Sequence, residues 1–111
     1  MKDHEVSRKS FVDSDDPAFL AVKGHFDDKQ VAKEYIKSLA KAISVVFQKL
    51  GTVKLRCIGA ASINNAIKAH IIASGEEIKK GDALALVPSF ATIKSDEGED
   101  RTAVVLEVVK L

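Results

Sequence analysis

DKQVAKEYIKSLAKAISVVFQKLGTVKLRCIG, residues 28–59, changes its hydrophobic period once, and that change fixes the fold class. From Lys29 to Leu50 the residues Ala32, Tyr35, Ile36, Leu39, Ile43, Val46, Phe47 and Leu50 recur at spacings of three and four, which gathers them on one face of an α-helix. Asp28 stands where a carboxylate accepts from the free N–H groups of a first helical turn, and Gly51 supplies the left-handed residue that ends a helix. Val53 to Gly59 then alternates: Val53, Leu55 and Cys57 point one way and Lys54 and Arg56 the other, as in a strand with one buried face.

Working upstream, the apolar run Ala18-Phe19-Leu20-Ala21-Val22-Lys23, bounded by Pro17 and Gly24, reads as a first strand. Residues 1–16 mix both signs of charge with isolated apolar side chains and show neither period, so they read as a flexible or loosely docked tail, and residues 17–111 as the domain. Downstream, Ser62 is expected to cap a second helix that runs through Ser74 and closes at Gly75. Two β-rich runs follow, Asp82 to Lys94 and Arg101 to Lys110, joined by a polar connection. Pro88 has no N–H for a ladder, which assigns the third strand to a sheet edge, or Pro88 to a bend or bulge. The order β-α-β-α-β-β predicts a two-layer α/β (α+β) domain, a four-stranded mixed sheet with two helices on one face.

The second helix is apolar around more than one face, since between Ile63 and Ala73 only Asn64, Asn65, Lys68 and His70 are polar. A small domain buries such a helix best by packing one face on its sheet and another on a second copy. Ile63, Ile67, His70 and Ile71 are the expected dimer interface.

The chain of 111 residues suits one core, and its net charge of +1 despite 30% charged residues excludes a bulk-basic nucleic-acid binder. Any polyanion site must be a local patch. The single cysteine, Cys57, forms no internal disulfide and reads as a core thiol. No apolar stretch approaches the ~20 residues of a membrane helix, and the N-terminal residues lack a secretory signal's apolar segment. The expected location is the cytoplasm, with nucleoid association if the partner is DNA.

Chemistry-bearing patterns are sparse. His4, His25 and His70 are scattered without zinc-ligand spacing, and there is no Walker loop, nucleophile elbow or dinucleotide fingerprint. No catalytic residue, metal or cofactor is therefore expected. The acidic run Asp96, Glu97, Glu99 and Asp100 does not have calcium-loop spacing and reads as a hydrated hairpin tip. Three basic features remain. Lys29, Lys33, Lys37 and Lys41 form a ridge along the first helix, partly offset by Glu34, that reads first as a solvated face and only secondarily as an auxiliary polyanion contact. Lys54 and Arg56 reach phosphates if their strand face is open. The turn Gly59-Ala60-Ala61-Ser62, followed by Asn64, Asn65 and Lys68, offers either an anion site at a helix N-terminus or close helix-to-strand packing.

Cys57-Ile58-Gly59-Ala60, Ile63-Asn64-Asn65-Ala66-Ile67-Lys68-Ala69, Pro88-Ser89-Phe90 and Glu97-Gly98-Glu99-Asp100-Arg101-Thr102-Ala103-Val104 together resemble the stage V sporulation protein S family. The resemblance runs from about Phe19 to Val109 and implies an Alba-like fold, a dimer, a regulatory role in sporulation and nucleic-acid binding. In Alba, basic residues in the first strand-to-helix loop and an arginine beside the glycine after the second strand contribute to nucleic-acid contact. Here that loop reads Gly24-His25-Phe26-Asp27-Asp28 and Ile58 precedes Gly59, so positive charge is missing at both places. The functional expectation is a dimeric nucleic-acid-binding or regulatory domain that holds DNA or RNA by backbone phosphates through Lys54, Arg56, Asn64, Lys68 and Arg101. Arg101 is equally suited to brace the hairpin through Asp96 or Asp100. The alternative is a structural adaptor that assembles with itself or another protein. A small-ligand site at the helix after Gly59 is the third reading.

Overall fold

Asp28 caps the first helix through its side chain, Oδ1 accepting from the N–H groups of Gln30 (2.7 Å) and Val31 (3.4 Å). A computed structural model of the protein describes residues 16–94 and 97–111. Its elements are β1 (Phe19–Val22), α1 (Lys29–Leu50), β2 (Val53–Cys57), α2 (Ala60–Lys79), β3 (Leu84–Lys94) and β4 (Asp100–Lys110). Gly51 ends α1 in the left-handed region at φ 78° and donates its N–H to the Phe47 carbonyl at 2.7 Å. The expected tail lies outside the described residues except for Asp16.

The four strands form one sheet in the order β1-β2-β4-β3, with β1 and β2 parallel and the other neighbours antiparallel. α1 connects the parallel pair, as a parallel connection requires. Leu39, Ile43 and Phe47 of α1 and Ala66, Ala69 and Ala73 of α2 meet Val53, Leu55 and Cys57 of β2 and Leu106 and Val108 of β4 in one core. Both helices therefore cover the same sheet face. Three alanines along α2 let its backbone approach the sheet closely. Leu50, expected in the α1 stripe, is exposed at the last residue of the helix. Pro88 lies on edge strand β3, opposite Leu106.

Two expectations for the second helix are corrected. Ser62 is not its cap: the helix starts at Ala60 after Gly59 at φ 89°, and the buried Ser62 hydroxyl donates back to the carbonyls of Ile58 and Gly59, both at 2.9 Å. Gly75 does not close it either. A glycine within a helix costs about 1 kcal/mol relative to alanine, and continuation adds another turn of backbone hydrogen bonds. It also carries Glu77, four residues beyond Ala73, onto the buried face, where Lys80 Nζ approaches its carboxylate at 3.3 Å. The helix stops just before Gly81, which adopts φ 95°.

Candidate nucleic-acid interface

On the outer side of the helical layer α1 and α2 run beside each other, and the cleft between them collects charge. Lys33 and Lys37, one turn apart on α1, and Lys68 of α2 line a groove of about 400 Å³ with Ile36, Ile71 and Ile72. The i, i+4 spacing aligns the two α1 lysines, and the same spacing places Asn64, Lys68 and Ile72 on the flank of α2 that borders the groove. Among the described residues none of the three lysines is in an ion pair. Glu34, the acid nearest in sequence, accepts from Gln30 Nε2 at 3.3 Å. Like-charged ammoniums around an apolar floor make a local positive potential that a near-neutral chain does not show in its composition.

The other basic residues are placed elsewhere. Lys54 and Arg56 project from the opposite sheet face, so the sheet and the helical layer separate them from Lys68. Lys54 Nζ donates to Asp16 Oδ2 at 2.9 Å. That hydrogen bond raises the Lys54 pKa and lowers that of Asp16, whose Oδ1 also accepts from the Ala18 N–H at 2.9 Å. The Phe19 ring lies under both cations, 5.4 Å from Lys54 Nζ and 5.0 Å from the Arg56 guanidinium carbon. Arg56 is buried, so the open face that phosphate contact required of it is not there. Arg101 is exposed near the start of β4, opposite Ile93 and on the Lys54 side by register. Asp100, one of its two expected braces, pairs with Lys94 at 3.3 Å. Asp96 lies outside the described residues. Asn64 is exposed beside Lys68.

The α2 N-terminus serves packing. Buried Asn65 donates from Nδ2 to the carbonyls of Lys23 (3.0 Å) and Gly24 (2.8 Å), tying the β1–α1 connection to the first turns of α2. Gly24 lies so close that a Cβ there would be 3.1 Å from the Ser62 nitrogen. This backbone occupies the space an anion would need over Ser62.

A second surface, which shares Ile71 with the groove, is apolar. Ile67, Ile71 (62% exposed) and Ile78 face outward from α2, and Phe90 (82% exposed) projects from β3 on the helix side of the sheet by its register with Val104. Ile63 is half-buried against the core. His70 is buried beside this surface, and its Nδ1 has no hydrogen-bond partner among the described residues. Desolvation lowers its pKa from 6.5, so the imidazole is neutral at pH 7.

Cys57 is fully buried and burial pushes its thiol up to about 11, which removes the thiolate that nucleophilic chemistry needs. Among the described residues no three His, Cys, Asp or Glu side chains come together to hold a metal ion. No described helix is long and apolar enough to cross a membrane.

Sequence reasoning placed Lys68 among the contact residues but treated the α1 ridge as auxiliary. The signal that unites them is the i, i+4 lysine row on α1, whose partner on α2 only the helix pairing reveals. Residues 29–111, from α1 to β4, match the family model described as Stage V sporulation protein S (SpoVS).

Proposed function

This chain belongs to the stage V sporulation protein S family, and on that premise we propose that it is a homodimeric, non-catalytic module that holds DNA or RNA by backbone phosphates. The family makes it a sporulation-related protein and is not a known enzyme family. The observation that carries the proposal is the convergence of Lys33, Lys37 and Lys68 on one groove without ion-pair partners among the described residues. Asn64, exposed next to them, supplies a neutral donor for phosphate or sugar oxygens. Lys54 and Arg56 are left out of the contact, because one is engaged with Asp16 and the other is buried. Arg101 is a peripheral contact at most.

The dimer reading is supported by the exposed isoleucines of α2 and the Phe90 ring, an apolar surface that water solvates poorly. The same surface favours a second reading, an adaptor that recruits another protein and no nucleic acid.

Fluorescence anisotropy of labelled duplex DNA, single-stranded DNA and RNA across a salt series separates the two. Three phosphate contacts per protomer give a log–log salt slope of about −2.7 on duplex DNA, and about twice that if both halves of a dimer engage. Absence of binding to all three probes at low salt would remove the nucleic-acid reading and leave the adaptor.

A further inference from the structure

Val31, Ser38 and Val45 follow one another at intervals of seven along α1, which sets them in one line down the helix. The buried residues Leu39, Ile43 and Phe47 occupy the opposite side, so this line looks outward, above the β1 edge of the sheet. Val31 is 45% and Val45 46% exposed. Two residues flank the line on either side. Toward the sheet stand Tyr35 and Ala42, which with Leu20 and Ala21 of β1 border an open groove of about 580 Å³. Toward solvent stand Glu34 and Lys41, both exposed. Lys33 and Lys37 are on the other flank of α1, beside α2.

The symmetry of this face indicates what covers it. Val31 and Val45, Tyr35 and Ala42, and Glu34 and Lys41 are three pairs whose midpoints in the chain all fall within about half a residue of Ser38. A second α1 laid antiparallel on the first, with a two-fold axis at Ser38, therefore sets Val31 against the partner's Val45 and Tyr35 against the partner's Ala42. It also sets Glu34 against the partner's Lys41, and the axis repeats each contact. A parallel pair would instead oppose like charges, which is destabilising. At the axis the short Ser38 and Ala42 side chains let two helices approach closely. Both charges are available: Lys41 is in no ion pair among the described residues, and the Glu34 carboxylate accepts only from the neutral Gln30 amide at 3.3 Å among them. An unrelated apolar segment would cover the valines, but a second copy supplies the two opposite charges in register as well.

We propose that the outward face of α1, centred on Ser38, is a homotypic interface that joins two copies through antiparallel α1 helices. It is separate from the apolar surface of α2, and a chain that uses both two-fold contacts assembles beyond a dimer. Lys33, Lys37 and Lys68 stay outside the contact, so the inference does not depend on their groove binding a polyanion.

The test uses the full chain carrying Ile71→Lys, which places a charge on the α2 surface at a position 62% exposed and leaves α1 as the remaining contact. Sedimentation velocity at high micromolar concentration and low salt should still show a dimer. Glu34→Lys or Lys41→Glu should each raise its dissociation constant about tenfold, and the two exchanges together should return it to within about threefold. In the same chain, a short bismaleimide should join Ser38→Cys into a covalent dimer, because the two thiols meet at the axis and Cys57 is buried. Lys29→Cys, about 13 Å along the helix from Ser38, should stay monomeric under that treatment. A monomer at every concentration, a double exchange no tighter than the single reversals, or equal cross-linking of the two cysteine variants would overturn the proposal. The salt series on nucleic acid reads a different quantity on a different flank of α1, so failure of one is distinguishable from failure of the other.

Discussion

Replacing Asn65 by alanine removes the two hydrogen bonds that fasten the β1–α1 connection to α2. The Nδ2 group donates at 3.0 Å to the Lys23 carbonyl and at 2.8 Å to the Gly24 carbonyl, and the side chain is buried. Each such bond contributes about 0.5–1.5 kcal/mol net, and a part-buried carbonyl left without a donor adds to the loss. Asn65→Ala should therefore cost about 2–3 kcal/mol. For a domain of this size, urea slopes of about 1–3 kcal/mol/M convert that into a midpoint lower by about 1 M, at unchanged slope. Asn65→Asp should cost more at pH 7, because a carboxylate only accepts and would face two carbonyl oxygens. Asn64→Ala, one residue away but exposed, should stay within about 0.5 kcal/mol of wild type. Urea denaturation at fixed protomer concentration is the assay. Equal midpoint shifts for the two alanine variants, or an Asn65→Asp protein as stable as wild type, would refute the assignment of Asn65 as the clamp.

Because burial lowers the His70 pKa from 6.5, stability is full above about pH 6.5, where folded and unfolded chains are both neutral at this residue. Below that the unfolded chain binds a proton that the folded chain refuses. Stability then falls by up to about 1.4 kcal/mol per pH unit until the folded-state pKa is reached. His70→Gln should flatten this part of the profile in urea midpoints taken from about pH 5 to 7; an unchanged profile would mean that His70 is not the group responsible. Cys57, buried and with its thiol pushed up to about 11, should not react with an aromatic disulfide reagent at pH 8 until denaturant is added. Fast modification of the native protein would contradict its place in the core. Gly24→Ala should destabilise by about 1–3 kcal/mol through overpacking, since its Cβ would meet Ser62 N at 3.1 Å and Ala61 Cβ at 3.3 Å; thermal unfolding reads the shift.

Periodicity was enough for the architecture. The stripe from Ala32 to Phe47 and the alternation from Val53 to Cys57 each follow from one buried face, so the element order and the helix bounds at Asp28 and Gly51 are legible without tertiary knowledge. Gly75 misleads because a glycine's local preference is small against an added helical turn, and Ser62 because its hydroxyl finds the Ile58 and Gly59 carbonyls once α2 begins three residues earlier. The site was half legible. Alternation assigns Lys54 and Arg56 to the face away from the core, but it does not say whether that face is open, and Asp16 and Phe19 occupy it. Lys68 draws meaning from Lys33 and Lys37 only after α1 and α2 are set side by side, a contact with no trace in either helix's own period. The Asn64-Asn65 pair divides in the same way, one exposed and one turned inward to carbonyls that lie some forty residues earlier in the chain.

The central claim is that the groove between α1 and α2, and not the far sheet face, meets the polyanion. The most direct test compares salt-dependent binding of duplex DNA by wild type, by the triple variant Lys33→Gln, Lys37→Gln, Lys68→Gln, and by Lys54→Gln. The account predicts that the triple variant's log–log slope is shallower by about 2.7 per protomer engaged, at about 0.9 per lysine removed, and that Lys54→Gln keeps the wild-type slope. A triple variant that binds like wild type while Lys54→Gln loses affinity would contradict it.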